Sequence, residues 1–167
     1  MTVIRATVAA GSNLGDRLAT LTRGLTLLAA HPLLSIEAVS PVYETDPVGG
    51  PEQDDYLNLV ALLDTVLTPR ALLGLMHVVE AACERERHER WGPRTLDLDL
   101  ITYGDVVSTD PDCTLPHPRA HERAFVLRPW LDVDPQAQVP GRGPVVELLA
   151  CVGQGGVRPR PDLEVRL

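Results

Sequence analysis

The stretch Tyr56-Leu57-Asn58-Leu59-Val60-Ala61-Leu62-Leu63-Asp64-Thr65-Val66-Leu67, followed at once by Thr68-Pro69, decides the fold class. Side chains alternate across a strand, so Leu57, Leu59, Ala61 and Leu63 share one face and Tyr56 and Asn58 the other. Thr68 can cap a helix and Pro69 suits its first position. Leu72, Leu75, Met76, Val79 and Ala82 then recur at helical spacing. Working outward, Gly92-Pro93 stops that helix and Thr95–Tyr103 reads as another strand. On the N-terminal side, Thr2–Ala10 reads as a strand ending at Gly11. Leu18, Leu21, Leu25 and Leu28 mark a helix that Ser12 or Asn13 can cap and His31-Pro32 ends. Leu34–Tyr43 is a second strand and Glu44–Asp55 a loop. The order β-α-β-β-α-β matches a ferredoxin-like α+β sandwich, an antiparallel sheet with helices packed on one face. A C-terminal extension follows. Arg119–Leu131 is expected as a short helix broken by Pro129, and Val145–Cys151 as a helix. Residues 1–167 are expected to form a single domain.

Net charge −8 argues against non-specific nucleic-acid binding, which needs a basic footprint. Arg85, Arg87, Arg90 and Arg94 nevertheless cluster within ten residues and could hold a local anion. Cys83, Cys113 and Cys151 lack disulfide or zinc spacing, which fits a reducing compartment. Neither a signal-peptide core nor a run of roughly 20 apolar residues is present, so a cytoplasmic protein without membrane contact is expected.

In Thr95–Tyr103, alternation sends Leu96, Leu98 and Leu100 to the core face and Asp97 and Asp99 together to the other. Two adjacent carboxylates repel unless a cation lies between them. Mg²⁺ suits one or two such oxygens plus water and phosphates. On spacing alone, a solvated strand face carrying two acids explains the pair better, because D-x-D arises often by accident. The neighbouring arginines favour polyphosphate chemistry, in which cations and metal share the phosphate charge. Glu84, Glu86 and Glu89 could pair with some of them on an exposed helix end, but Arg94 lies beyond Pro93. Read singly, Gly11–Asp16 is a strand-to-helix turn without the lysine of a phosphate loop. His117 reads as a surface or turn residue and Phe125 as core. Trp91 stands outside the periodic segments, where a tryptophan often covers a ligand.

Together these segments resemble the 6-hydroxymethyl-7,8-dihydropterin pyrophosphokinases of folate biosynthesis. Arg90-Trp91-Gly92-Pro93-Arg94-Thr95-Leu96-Asp97-Leu98-Asp99 is the most specific match. Gly11-Ser12-Asn13-Leu14-Gly15-Asp16, Ser40-Pro41-Val42-Tyr43-Glu44-Thr45, Tyr56-Leu57-Asn58, Leu115-Pro116-His117-Pro118 and Arg123-Ala124-Phe125-Val126-Leu127 accompany it. Glu84 departs from the family, which often has glycine there.

The resemblance implies transfer of the β,γ-diphosphate of ATP to the pterin hydroxymethyl group, with release of AMP. It implies two Mg²⁺ ions held by Asp97 and Asp99, with Arg85 and Arg94 also catalytic. It implies ATP contacts from Glu80, Arg87, Arg94, Leu98, Leu100, Thr114, His117 and Arg123. Thr45, Val48 and Asn58 would read the pterin edge, Tyr56 and Phe125 would flank its ring, and Trp91 would close over the site. The expected partners are ATP and the pterin alone, bound to a monomer. Two other readings share the sequence features: a non-catalytic small-molecule sensor on the same fold, and a D-x-D glycosyltransferase.

Overall fold

The structure is a computed structural model and describes residues 1–47, 52–84 and 95–167. Its main elements are β1 (Ile4–Ser12), α1 (Arg17–Ala29), β2 (Leu34–Val39), β3 (Tyr43–Thr45), β4 (Tyr56–Thr65), α2 (Pro69–Glu84), β5 (Asp97–Tyr103), α3 (Ala124–Val133), β6 (Gln138–Val139), β7 (Gly143–Pro144), α4 (Val145–Val152) and β8 (Val157–Pro159). A 3₁₀ turn at Ala120–Glu122 precedes α3. The main sheet runs β5-β1-β4-β3-β8, with β2 on the same side of β4 as β3 but at its other end. All its pairings are antiparallel.

The ferredoxin-like α+β fold is present, with α1 and α2 on one face of the sheet. Leu57, Leu59, Ala61 and Leu63 of β4 bury against Leu21, Leu25 and Leu28 of α1 and Leu72, Met76 and Val79 of α2. The buried stripe of α2 ends on Cys83 rather than Ala82. Thr68 accepts the Ala71 N–H at 3.2 Å, so it acts as the expected cap. At α1 the capping oxygen comes instead from Asp16, whose Oδ1 accepts from the Ala19 N–H at 3.1 Å. Asn13 is drawn away from that end, because its side-chain amide donates to Gln53 at 2.8 Å.

The C-terminal extension builds a second apolar layer on the opposite face of the sheet. Val60, Leu62, Ile101 and Ala9 pack there against Val126, Leu127, Trp130 and Leu131 of α3 and Val145 and Leu149 of α4. The expected break at Pro129 does not occur; α3 continues through it to Val133. Proline interrupts a helix by removing one hydrogen bond and crowding the preceding turn, at about 3 kcal/mol. Burial of Trp130 and Leu131 just beyond it offsets that cost. The strand expected over 34–43 is divided: Ser40 takes its N–H to Val60 O at 2.8 Å and its hydroxyl accepts from Val60 N at 2.9 Å, between β2 and β3. The tail also contributes β8, which pairs with β3.

One irregularity matters for the site. Thr7 pairs with Thr102 and Val8 with Leu100, so Ile101 is an extra residue in β5. The bulge resets the alternation. Leu98, Leu100 and Tyr103 reach the α1/α2 side while Ile101 reaches the α3 side. N-terminal to the bulge, Asp97 and Asp99 share the α3 side but lie past the end of its covering layer.

Candidate active site

Where α3 and α4 stop covering the sheet, a cavity of about 650 Å³ opens. Its floor is sheet. Gly11 pairs with Asp97 on one side and Asn58 on the other, and Ala9 with Asp99 and Val60. The carboxylates therefore stand at one side of the floor and Asn58 and Tyr56 at the other, with Ala9 and Gly11 between them. Arg119, Glu122, Arg123 and Phe125 supply one wall, and the segment from Val152 to Val157 another.

Gly11 is required by its neighbours. A Cβ built there would lie 2.5 Å from Asn58 Oδ1. Asn58 in turn donates from Nδ2 to the Thr45 hydroxyl at 2.5 Å, and both residues are buried. Thr45 pairs with Tyr56 across β3 and β4. These three side chains thus form a fixed polar and aromatic edge on one sheet face.

On the opposite side, the Leu115–Pro116–His117 segment docks along β5: the His117 N–H donates to Ile101 O at 2.9 Å. The Leu115–Pro116 peptide is cis. His117 Nδ1 accepts from the Arg119 N–H at 3.2 Å, leaving Nε2 directed toward Asp99 Oδ1 at 4.0 Å. Burial holds the imidazole below its ordinary pKa; Asp99 opposes this, and Arg123 and Arg119 reinforce it. The ring is therefore a neutral N–H donor near neutral pH. Arg123 Nη1 lies 3.7 Å from Asp99 Oδ2, and its guanidinium sits 5.6 Å from the centre of the Phe125 ring. One arginine thereby spans from the acid pair to the aromatic wall.

Glu80, at the last turns of α2, accepts from the Leu98 N–H at 3.2 Å on the outer edge of β5. The Leu98 and Leu100 side chains are buried beneath the helices, so only their backbone faces that edge. Thr114 stands apart from the cavity lining and donates to Asp110 O at 3.0 Å. Val48, Arg85, Arg87, Trp91 and Arg94 lie outside the described residues.

Among the described residues no group of three or more histidine, cysteine or acidic side chains converges as a metal cage. Two carboxylates on one face of an open cavity still fit Mg²⁺, which takes few protein ligands and completes its shell with water and phosphate oxygens. Sequence reasoning missed Ala9, Arg119, Glu122 and the whole 152–157 wall. The glycines at 153, 155 and 156 were the available signal, because glycine clusters often mark close backbone approach.

An acid pair beside two arginines, on a ferredoxin-like sheet, suits the phosphoryl-transfer class of proteins. Residues 7–135 match the family 7,8-dihydro-6-hydroxymethylpterin-pyrophosphokinase (HPPK), and the chain belongs to that family. The 2-amino-4-hydroxy-6-hydroxymethyldihydropteridine pyrophosphokinase of Mycobacterium tuberculosis is 45% identical over 159 residues, covering 87% of this chain and 82% of the relative. That of Methylorubrum extorquens is 40% identical, covering 92% and 96%. The bifunctional protein FolKE of Lactococcus lactis is 45% identical over 123 residues; they make up 74% of this chain but only 35% of FolKE. This chain thus spans about a third of that relative's length. Plasmodium falciparum HPPK-DHPS has the same fold at TM-score 0.70 and 13% identity, covering 90% of this chain and 45% of the other.

Proposed function

We propose that this chain transfers the β,γ-diphosphate of ATP to the hydroxymethyl group of 6-hydroxymethyl-7,8-dihydropterin. The observation that carries this reading is that Asp97 and Asp99 share one cavity with Thr45, Tyr56, Asn58 and Phe125. A polyphosphate and a flat, polar-edged acceptor can both be accommodated, with only Ala9 and Gly11 beneath their junction. The acid pair and the aromatic-flanked polar edge in one cavity favour this transfer over a glycosyltransferase, and turnover separates it from a sensor.

The acceptor hydroxyl oxygen forms a bond to the β-phosphorus as the bridge from the α-phosphate breaks, and AMP leaves. Asp97 orients or takes the hydroxyl proton. Asn58 and Thr45 read the pterin edge while Tyr56 and Phe125 flank its ring. His117 and Arg123 donate to phosphate oxygens, and Arg123 must then turn from Asp99 toward the nucleotide. The outer backbone edge of β5 at Leu98 and Leu100, where Glu80 already accepts from the Leu98 N–H, is assigned to the hydrogen-bonding rim of the base. Thr114, apart from the cavity lining, keeps the nucleotide contact that the family resemblance gives it. When bound, two Mg²⁺ ions held by Asp97 and Asp99 would neutralise triphosphate charge and align acceptor and phosphorus. Arg85, Arg87, Arg94, Trp91 and Val48 keep the roles the family resemblance gives them. The enzyme works as a cytoplasmic monomer in this reading.

Incubation with Mg²⁺, ATP and 6-hydroxymethyl-7,8-dihydropterin should release AMP only when the pterin is present. Asp97→Ala and Asp99→Ala should each lower turnover by at least about 10³-fold while the fold is retained, as expected for groups acting at the transition state. Release of ADP, or pterin-independent AMP, would overturn the assignment. Activity surviving in either variant would overturn the metal role.

A further inference from the structure

The chain returns to the acceptor side of the cavity after it has left the family match at residue 135. β8 lies along β3, with Thr45 opposite Val157 and Glu44 opposite Arg158. The preceding residue, Gly156, has φ +77°, and a Cβ there would meet Asp46 Oδ2 at 2.7 Å. This glycine lets the turn close onto Asp46, whose N–H donates to Gly156 O at 3.1 Å. Two residues on, Arg158 donates from Nη1 to Asp46 Oδ1 at 2.8 Å and from Nη2 to Asp55 Oδ2 at 2.9 Å.

Asp46 directly follows Thr45, and Asp55 directly precedes Tyr56. A single planar guanidinium therefore joins the residue after one acceptor-side group to the residue before another. Arginine is suited to this because its fork fixes two partners in one plane. Another bond secures the second partner, Arg17 Nη1 donating to Asp55 O at 2.9 Å, and Asn13 Nδ2 holds the segment just before it by donating to Gln53 Oε1 at 2.8 Å. Asp46 is held through Arg158 and Gly156. The side chains of Arg158, Asp46 and Asp55 are 46%, 61% and 40% exposed, and ion pairs this exposed add little to global stability.

We propose that Arg158 is a positioning residue of the acceptor pocket, clamping Asp46 to Asp55 so that Thr45 and Tyr56 are held at the spacing the pterin requires. The inference rests on the pterin reading above. It makes the C-terminal strand a determinant of acceptor affinity, acting without touching the reacting atoms.

The test uses the full chain and pterin-dependent AMP release. Arg158→Ala should raise KM for 6-hydroxymethyl-7,8-dihydropterin about 5- to 10-fold, with KM for ATP and kcat unchanged, the pattern of lost uniform binding. Its melting temperature should stay within about 2 °C of the unaltered chain, as for a surface substitution. Asp46→Ala should give the same selective rise, and the double variant no more than Arg158→Ala alone. Arg158→Lys, keeping one partner, should fall between. Arg166→Ala, in the exposed tail, should change nothing. If the unaltered chain is active and Arg158→Ala leaves the pterin KM untouched, or shifts both KM values and the melting temperature together, the clamp is wrong and the functional reading stands. No pterin-dependent AMP from the unaltered chain overturns both.

Discussion

At Gly11 three strands meet with no room for a side chain. A methyl group there would press on Asn58 Oδ1 and push its amide off the Thr45 hydroxyl. Gly11→Ala should therefore weaken pterin binding by more than about tenfold and cost roughly 1–3 kcal/mol of stability as an overpacked site. Steady-state KM values and urea unfolding measure the two effects separately. Arg123 has a different part, since it faces both Asp99 and the Phe125 ring. Replacing it with alanine should raise KM for ATP while leaving the melting temperature close to its original value; an unchanged ATP KM would remove it from the nucleotide side. At this scale the acid pair was legible from the residues themselves, whereas Arg119 and Glu122 were missed and Phe125, read singly as core, lines the cavity. Asp97 and Asp99 were placed on one face by alternation alone. Ala9 was silent, and Gly11 was read as a turn residue and family motif but not as floor, because what it gives the site is room beside Asn58 of a distant strand. The neutral, half-buried state of His117 was equally hidden, because its main cause is burial against β5, with Arg123 and Arg119 only reinforcing it.

Elements reached across long sequence separations were harder to foresee than those made by neighbours. β4, α2 and α1 were legible because each has a dense apolar period of its own. β3 and β8 are each three residues long, and each exists only because a partner lies beside it. α3 was expected to break at Pro129, where burial against the sheet overrides a local penalty. One contact ties these less legible pieces together: the Tyr43 hydroxyl of β3 donates to Asp132 of α3. Burial first, and then that hydrogen bond, raise the Tyr43 pKa above its ordinary value of 10.0. The folded state therefore keeps the phenol proton more tightly than the unfolded chain. The contribution is fully present below pH about 10 and is lost as pH rises through the folded-state pKa. Tyr43→Phe should lower stability by about 0.5–1.5 kcal/mol at neutral pH and flatten the fall at the alkaline end. Thermal unfolding from pH 7 to 11 checks both; an identical alkaline slope in the variant would reject the assignment.

Among the described residues the molecule is one main sheet covered twice, by α1 and α2 on one face and by α3 and α4 on the other, with the short β6-β7 pair beside it. The first layer follows from leucine spacing. The second was obscured because its helices are short, one contains a proline, and their apolar residues make sense only against Val60, Leu62 and Ile101 of distant strands. Leu127 is fully buried in that layer. Leu127→Ala should cost about 2–5 kcal/mol, and activity at elevated temperature should fall with it. Differential scanning calorimetry with activity after heating tests this, and a stability change below 1 kcal/mol would show that α3 is not integral to the core.

The floor of the cavity has a pharmacological meaning. A compound lying on Ala9 and Gly11 rests on backbone and a single methyl group, with almost nothing there for a point substitution to remove. Enlarging either residue would obstruct the natural ligand as much as the compound. Resistance to such a compound is confined to the walls, and an inhibitor that draws its affinity from the floor leaves the target few routes of escape.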